Sequence, residues 1–118
     1  MGKIVITTNA SLDGVVQDPD GEEVFRLGGW FGQFGGKDLE QWAEVETDEA
    51  LRADALLLGR RSEEWFATRW ASRTGEWADR LNSMPKYVVS STLTEPRWSN
   101  STILKGDVVD EVSKLSRR

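Results

Sequence analysis

Gly59-Arg60-Arg61-Ser62 is the stretch of this chain whose residue types could hold an anion. It follows the uncharged run Ala55-Leu56-Leu57-Leu58 and precedes a helix-like segment. Glycine permits a tight turn from a buried strand into a helix. The first N–H groups of that helix have no partner inside it and face outward. The arginines add fixed charge and a planar fork that matches phosphate. A plain turn carrying two solvated arginines would have the same sequence. A second stretch, Ser90-Ser91-Thr92, closes another strand-like run with three hydroxyls. Alone it is equally a strand end whose hydroxyls bond the local backbone. Together, an arginine loop and a hydroxyl loop suit a nucleotide with an extra phosphate, such as NADP. Arginine at such a position distinguishes NADP from NAD.

Two further stretches could border a flat ligand. Ser11-Leu12-Asp13-Gly14 is first of all a turn, but Asp13 could hydrogen-bond or polarise a heteroaromatic ring. Gly28 to Gly36 holds five glycines and three aromatics, Trp30, Phe31 and Phe34. It reads as an irregular loop that packs by its aromatics, or as a lid whose rings stack on a substrate.

Composition narrows the chemistry. The chain has no cysteine and no histidine. Thiolate nucleophiles, cysteine or histidine metal sets and Ser-His-Asp triads are therefore excluded. Carboxylates, lysine, one tyrosine and hydroxyls remain, or a cofactor that brings its own reactivity. The net charge of −5 argues against nucleic acid and anionic membranes as partners. Any anion site must then be local. No Walker loop, glycine-rich dinucleotide fingerprint or metal-binding carboxylate spacing is present. No signal peptide or membrane-length apolar segment is visible, so the cytoplasm is the expected location.

The elements that must position these residues alternate. Lys3 to Thr8 reads as a central strand, because Ile4, Val5 and Ile6 are consecutive. Asp38 to Arg52 reads as a helix with Leu39, Trp42, Ala43, Ala50 and Leu51 on its apolar face. Ala55 to Leu58 is a second strand. Ser62 is placed to cap the helix after it, which has Glu63 and Glu64 at its positive end and carries Trp65, Phe66 and Trp70. Glu76 to Ser83 forms a short helix stopped by Pro85. Lys86 to Ser91 and Ser101 to Leu104 are strands. Asp107 caps a last helix with Val108, Val109, Val112 and Leu115 on one face and Lys114, Arg117 and Arg118 at its end. Four strands alternating with helices favour an α/β fold with a mainly parallel sheet. At 118 residues this is one domain, spanning 1–118.

In this order, Ser11-Leu12-Asp13-Gly14, Gly28-Gly29-Trp30, Leu57 to Ser62, Pro85 to Thr92, Trp98 and Ser101 to Asp107 resemble the dihydrofolate reductase-like family. Within it, the chain resembles the reductase domain of bacterial riboflavin biosynthesis and its stand-alone relatives. The resemblance implies a dihydrofolate reductase-like α/β fold and NADPH as cofactor. It implies hydride transfer to a pterin-like or pyrimidine-like small molecule, and a homodimer. It implies that Gly59, Arg60, Arg61 and Ser62 hold cofactor phosphates and that Ser90, Ser91 and Thr92 line the adenosine side. It implies that Asn9, Ala10, Asp13 and Gly14 border nicotinamide and substrate, with Trp30 on the substrate as well. Family members continue past the helix ending at Arg118 into further strands. The resemblance thus implies a C-terminally truncated domain whose missing strands weaken its hold on NADPH. Two other readings stay open. One is a nucleotide-binding module without turnover. The other is an interaction fragment that associates through an open sheet edge.

Overall fold

The computed structural model describes residues 2–117, with the side chain of Phe34 also outside the described residues. Backbone contacts divide the chain into two compact units, Ile4–Val45 and a unit of Met1–Lys3 with Glu46–Arg118.

In the larger unit, β1 (Leu56–Gly59), β2 (Lys86–Val89) and β3 (Ser101–Leu104) form a parallel sheet in the order β1-β2-β3. The register pairs Gly59 with Val89 and Val89 with Leu104, so all three strands end at one level. Helices α3 (Arg60–Trp70) and α4 (Glu76–Ser83) connect β1 to β2, and α5 (Val108–Ser116) follows β3. Pro85 ends α4 as expected, since it cannot continue a helix. Asp107 accepts the Asp110 N–H at 3.0 Å and caps α5. Arg118, assigned to the end of that helix from sequence, lies outside the described residues.

The core of this unit centres on Ala50, Leu81 and Trp98, with Leu56, Leu58, Phe66 and Trp77 packed against them. The Phe66 and Trp98 rings stack at 5.2 Å with planes 1° apart. The C-terminal carbonyls of α4 meet an unusual cap. Lys86 is fully buried, and its Nζ donates to the carbonyls of Asn82 (3.0 Å), Met84 (3.0 Å) and Ser99 (2.7 Å). It also lies 4.4 Å from the centre of the Trp98 ring. The cation sits at the negative end of the α4 dipole and needs no carboxylate partner. Burial pushes its pKa down to about 8.

The smaller unit contains α1 (Trp30–Gly35) and the start of α2 (Asp38–Arg52). Asp18 organises its loop. Its buried carboxylate accepts N–H bonds from Glu23 (2.9 Å) and Phe25 (3.0 Å), and its carbonyl accepts from Gly21 and Gly29. Burial raises the Asp18 pKa, but hydrogen bonds to the carboxylate, led by those from the Glu23 and Phe25 N–H groups, outweigh it and hold the group below its ordinary value.

Several expectations fail, among them the apolar face of α5, where Val108 and Val109 are exposed. Lys3–Thr8 forms no strand, and Ile4, Val5 and Ile6 are exposed, Ile6 by 88%. β-branched residues favour a pleated, half-buried surface. Here the run lies on no sheet, which has three strands rather than four among the described residues. Gly28 to Gly36 is not wholly irregular, because Trp30–Gly35 is helical. The Phe31 N–H donates to the Pro19 carbonyl at 2.9 Å, so the folded loop pins a helical start that glycine content alone disfavours. Ser62 does not cap α3, which begins two residues earlier from an extended Gly59 that offers no side chain. The face assigned to α2 is largely exposed at Trp42, Ala43 and Leu51, and Ala50 is its buried residue. No helix among the described residues is long and apolar enough to cross a membrane.

Candidate functional site

The common level of the strand ends places three side chains together. One residue beyond Gly59, Val89 and Leu104 stand Arg60, Ser90 and Lys105. In a parallel sheet the carboxyl ends of the strands are where ligands bind. A cavity of about 660 Å³ opens at this edge. Arg60, Ser90, Ser91, Thr92, Thr94 and Lys105 line it, with Val89, Leu93, Gly106 and Val108 as apolar and backbone wall. Its size is in the range of small-molecule sites, roughly 300–1,000 Å³.

Two cations and four hydroxyls therefore converge, and no carboxylate is among the described residues that line the space. Arg60 is half-exposed, and its Nη1 pairs with Glu64 one turn along α3 at 3.2 Å. Such a pair is weak in water and leaves the guanidinium available to a stronger anion. The hydroxyl loop is preformed. Ser90 Oγ accepts the N–H groups of Thr92 (3.2 Å) and Leu93 (3.0 Å). Ser90 is thus spent on holding the turn, which leaves Ser91 and Thr92 at the exposed apex. The first N–H groups of α3 receive no side-chain cap at Gly59 and lie beside Arg60.

The structure sorts the cofactor-side residues named from sequence. Arg60, Ser90, Ser91 and Thr92 line this same cavity. Gly59, Arg61 and Ser62 do not, and all three are exposed. Lys105 and Thr94 were missed. Lys105 had a signal available, since it is the residue after the third strand.

The residues assigned to substrate lie in the other unit. Asn9 Oδ1 accepts from Trp42 Nε1 at 3.1 Å. Trp42 packs on Phe31 at 6.2 Å, and Phe31 meets Trp30 edge-on at 6.2 Å. Trp30 Nε1 donates to the Gln17 carbonyl at 3.2 Å. Asn9 and Trp30 thus belong to one aromatic cluster. Asp13 accepts from the Ser11 hydroxyl inside a turn closed by the Gly14 N–H to the Ser11 carbonyl at 3.0 Å. Gly14 has φ 90°, which suits glycine there. Ala10 is exposed beside this turn. Among the described residues, no group of three acidic, cysteine or histidine side chains could hold a metal ion.

Comparison with known families decides the ancestry: the family model described as RibD C-terminal domain matches residues 2–115. The chain belongs to the RibD C-terminal domain family. This is the family of the reductase domain of riboflavin biosynthesis, and its fold is dihydrofolate reductase-like. The RibD-type chain has the three-stranded parallel sheet and flanking helices of an α/β fold. No curated protein matches it.

Proposed function

We propose that this chain is an NADPH-dependent reductase domain, acting on a pterin-like or pyrimidine-like small molecule. The observation that carries the reading is the cavity in which Arg60 and Lys105 meet the hydroxyls of Ser91 and Thr92. Two cations at the carboxyl ends of the two outer strands, with donors between them and no carboxylate among the described lining residues, suit a phosphate monoester on a ribose. In this reading Arg60 and Lys105 bind the 2′-phosphate. Ser91 and Thr92 donate hydrogen bonds to the same group. The uncapped N–H groups of α3 orient the neighbouring phosphates. When bound, NADPH supplies a hydride at its nicotinamide. The chain, which has no histidine or cysteine, supplies binding and orientation. Asn9, Ala10, Asp13, Gly14 and Trp30 are the proposed substrate residues, with Gly59, Arg61 and Ser62 as outer contributors to the phosphate site. We further take the protein to be a cytoplasmic homodimer; the exposed Ile4, Val5 and Ile6 favour association.

The test is a titration with NADP⁺ and NAD⁺, followed by tryptophan fluorescence. NADP⁺ binding stronger than NAD⁺ binding is expected. Arg60→Ala and Lys105→Ala should each weaken NADP⁺ by about tenfold and leave NAD⁺ nearly unchanged, a loss typical of one charge-assisted contact. Equal affinity of the wild-type chain for the two nucleotides would refute the assignment.

A further inference from the structure

The rim of the cavity is one turn, and its other end is held from a distance. Residues 90–98 leave β2, pass along the cavity and return towards β3. At their far end the backbone N–H groups of Arg97 and Trp98 both donate to Glu63 Oε1, at 2.5 and 2.7 Å. Glu63 is fully buried. It stands in the first turn of α3, three residues after Arg60. Three residues further on, Phe66 stacks on the Trp98 ring. One face of α3 therefore presents Arg60 to the cavity and grips the end of the segment that carries Ser91, Thr92 and Thr94.

The grip is a costly one. Glu63 Oε2 is buried with no hydrogen-bond partner. A carboxylate kept dry with one oxygen unpaired lowers stability. What it provides is two charge-assisted bonds to adjacent N–H groups, stronger than a neutral acceptor gives. Trp98 is already fixed by its ring, through Phe66 and through Nε1 to Asn82 Oδ1 at 2.6 Å. The carboxylate adds what a stacked ring does not, the setting of the backbone along the chain direction.

We propose that Glu63 is a positioning residue: it bolts the 90–98 segment to α3 and so fixes Arg60 relative to the hydroxyls of Ser91 and Thr92. The nucleotide consequence rests on the function proposed above, but the bolt itself does not.

The test is amide exchange with water, read by NMR on ligand-free Glu63→Ala, together with NADP⁺ titration. Loss of the bolt should speed exchange at Arg97 and Trp98, and also at Thr92 and Leu93, which Glu63 does not touch. NADP⁺ affinity should fall by about tenfold, the loss of about one charge-assisted contact. Glu63→Gln keeps an acceptor oxygen of the same reach and should restore exchange and affinity to within about threefold of wild type. If Glu63→Ala does not fold, Glu63→Asp keeps the charge but withdraws it by one methylene and should reproduce the loss. Fast exchange confined to Arg97 and Trp98 would make the contact merely local and overturn the proposal, as would unchanged exchange at all four amides. Wild-type chain that ignores NADP⁺ while Thr92 and Leu93 respond to Glu63→Ala would refute the nucleotide reading and keep the bolt.

Discussion

Replacing Lys86 by methionine tests the least expected feature of the core. The side chains have similar length, so packing against Trp98 is largely kept. What disappears is the donor set of Nζ. The Asn82 carbonyl still receives the Ser99 hydroxyl at 2.8 Å. The carbonyls of Met84 and Ser99 lose the bonds described above and stay in an apolar setting. A buried acceptor left unpaired costs about 1–3 kcal/mol, and removing the ammonium returns part of that by ending its desolvation. We expect a net loss of about 3 kcal/mol in urea unfolding near neutral pH. The pH dependence sharpens the test. The folded pKa of about 8 lies below the ordinary 10.5. Between those values the unfolded chain holds a proton that the folded chain has released. Stability from this group therefore rises with pH across that window and is level on either side of it. The neutral amine still donates two hydrogens to its three carbonyls. All other titrating groups are shared with the variant, so the gap between wild type and Lys86→Met should widen from neutral pH to about pH 10. A variant as stable as wild type, or a gap that narrows on the alkaline side, would refute this account.

Three other perturbations follow from named contacts. Glu64→Gln releases Arg60 from a partly exposed pair worth about 0.3–0.5 kcal/mol, so NADP⁺ should bind about twofold tighter at low salt; weaker binding would show that Glu64 orients Arg60 rather than competing for it. Asp18→Asn removes a group whose folded pKa is held below the ordinary 3.8. The wild-type contribution is complete above that value and fades as pH falls through the lower folded one, so acid unfolding should lose that steep limb in the variant. Gly28→Ala would place a methyl group on the Asp18 carboxylate. It should speed amide exchange at Glu23 and Phe25, and unchanged protection there would mean that the loop yields without cost.

Where the local sequence agreed with the packing, elements could be read to the residue. Asp38–Arg52, Glu76–Ser83 and Ser101–Leu104 have the same bounds in the sequence reading and in the structure. Pro85 and Asp107 punctuate the chain by chemistry that needs no tertiary partner: one lacks an N–H, the other supplies an acceptor. Lys3–Thr8 shows the opposite case. Its β-branched run states a preference that only a neighbouring backbone can satisfy, and no pattern within the run names that neighbour. The buried roles of Lys86 and Glu63 were not legible for a related reason. Both look like solvated charges in sequence. Burial becomes tolerable because three carbonyls converge on one and two N–H groups on the other, and those donors and acceptors belong to residues as distant as Ser99 and Trp98.

The site shows how a little geometry would have extended the reading. Sequence alone could not choose between Arg60 and Arg61, because the choice depends on where α3 begins. The helix starts at Arg60, and the turn repeat then puts Arg60 and Glu63 on neighbouring positions of one face while Arg61 and Ser62 turn to solvent. Lys105 needed no more than the register. Once three strands are taken as parallel and ending level, the residues following them must share an edge. The sequence Leu104-Lys105-Gly106 then supplies a cation in the place that Gly59-Arg60 and Val89-Ser90 already mark. The hydroxyl turn sits between the two cations because β2 is the middle strand. That order, rather than any one motif, brings Arg60, Ser91, Thr92 and Lys105 together at the proposed anion site. It also predicts that removing either cation should weaken the same phosphate contact rather than two independent ones.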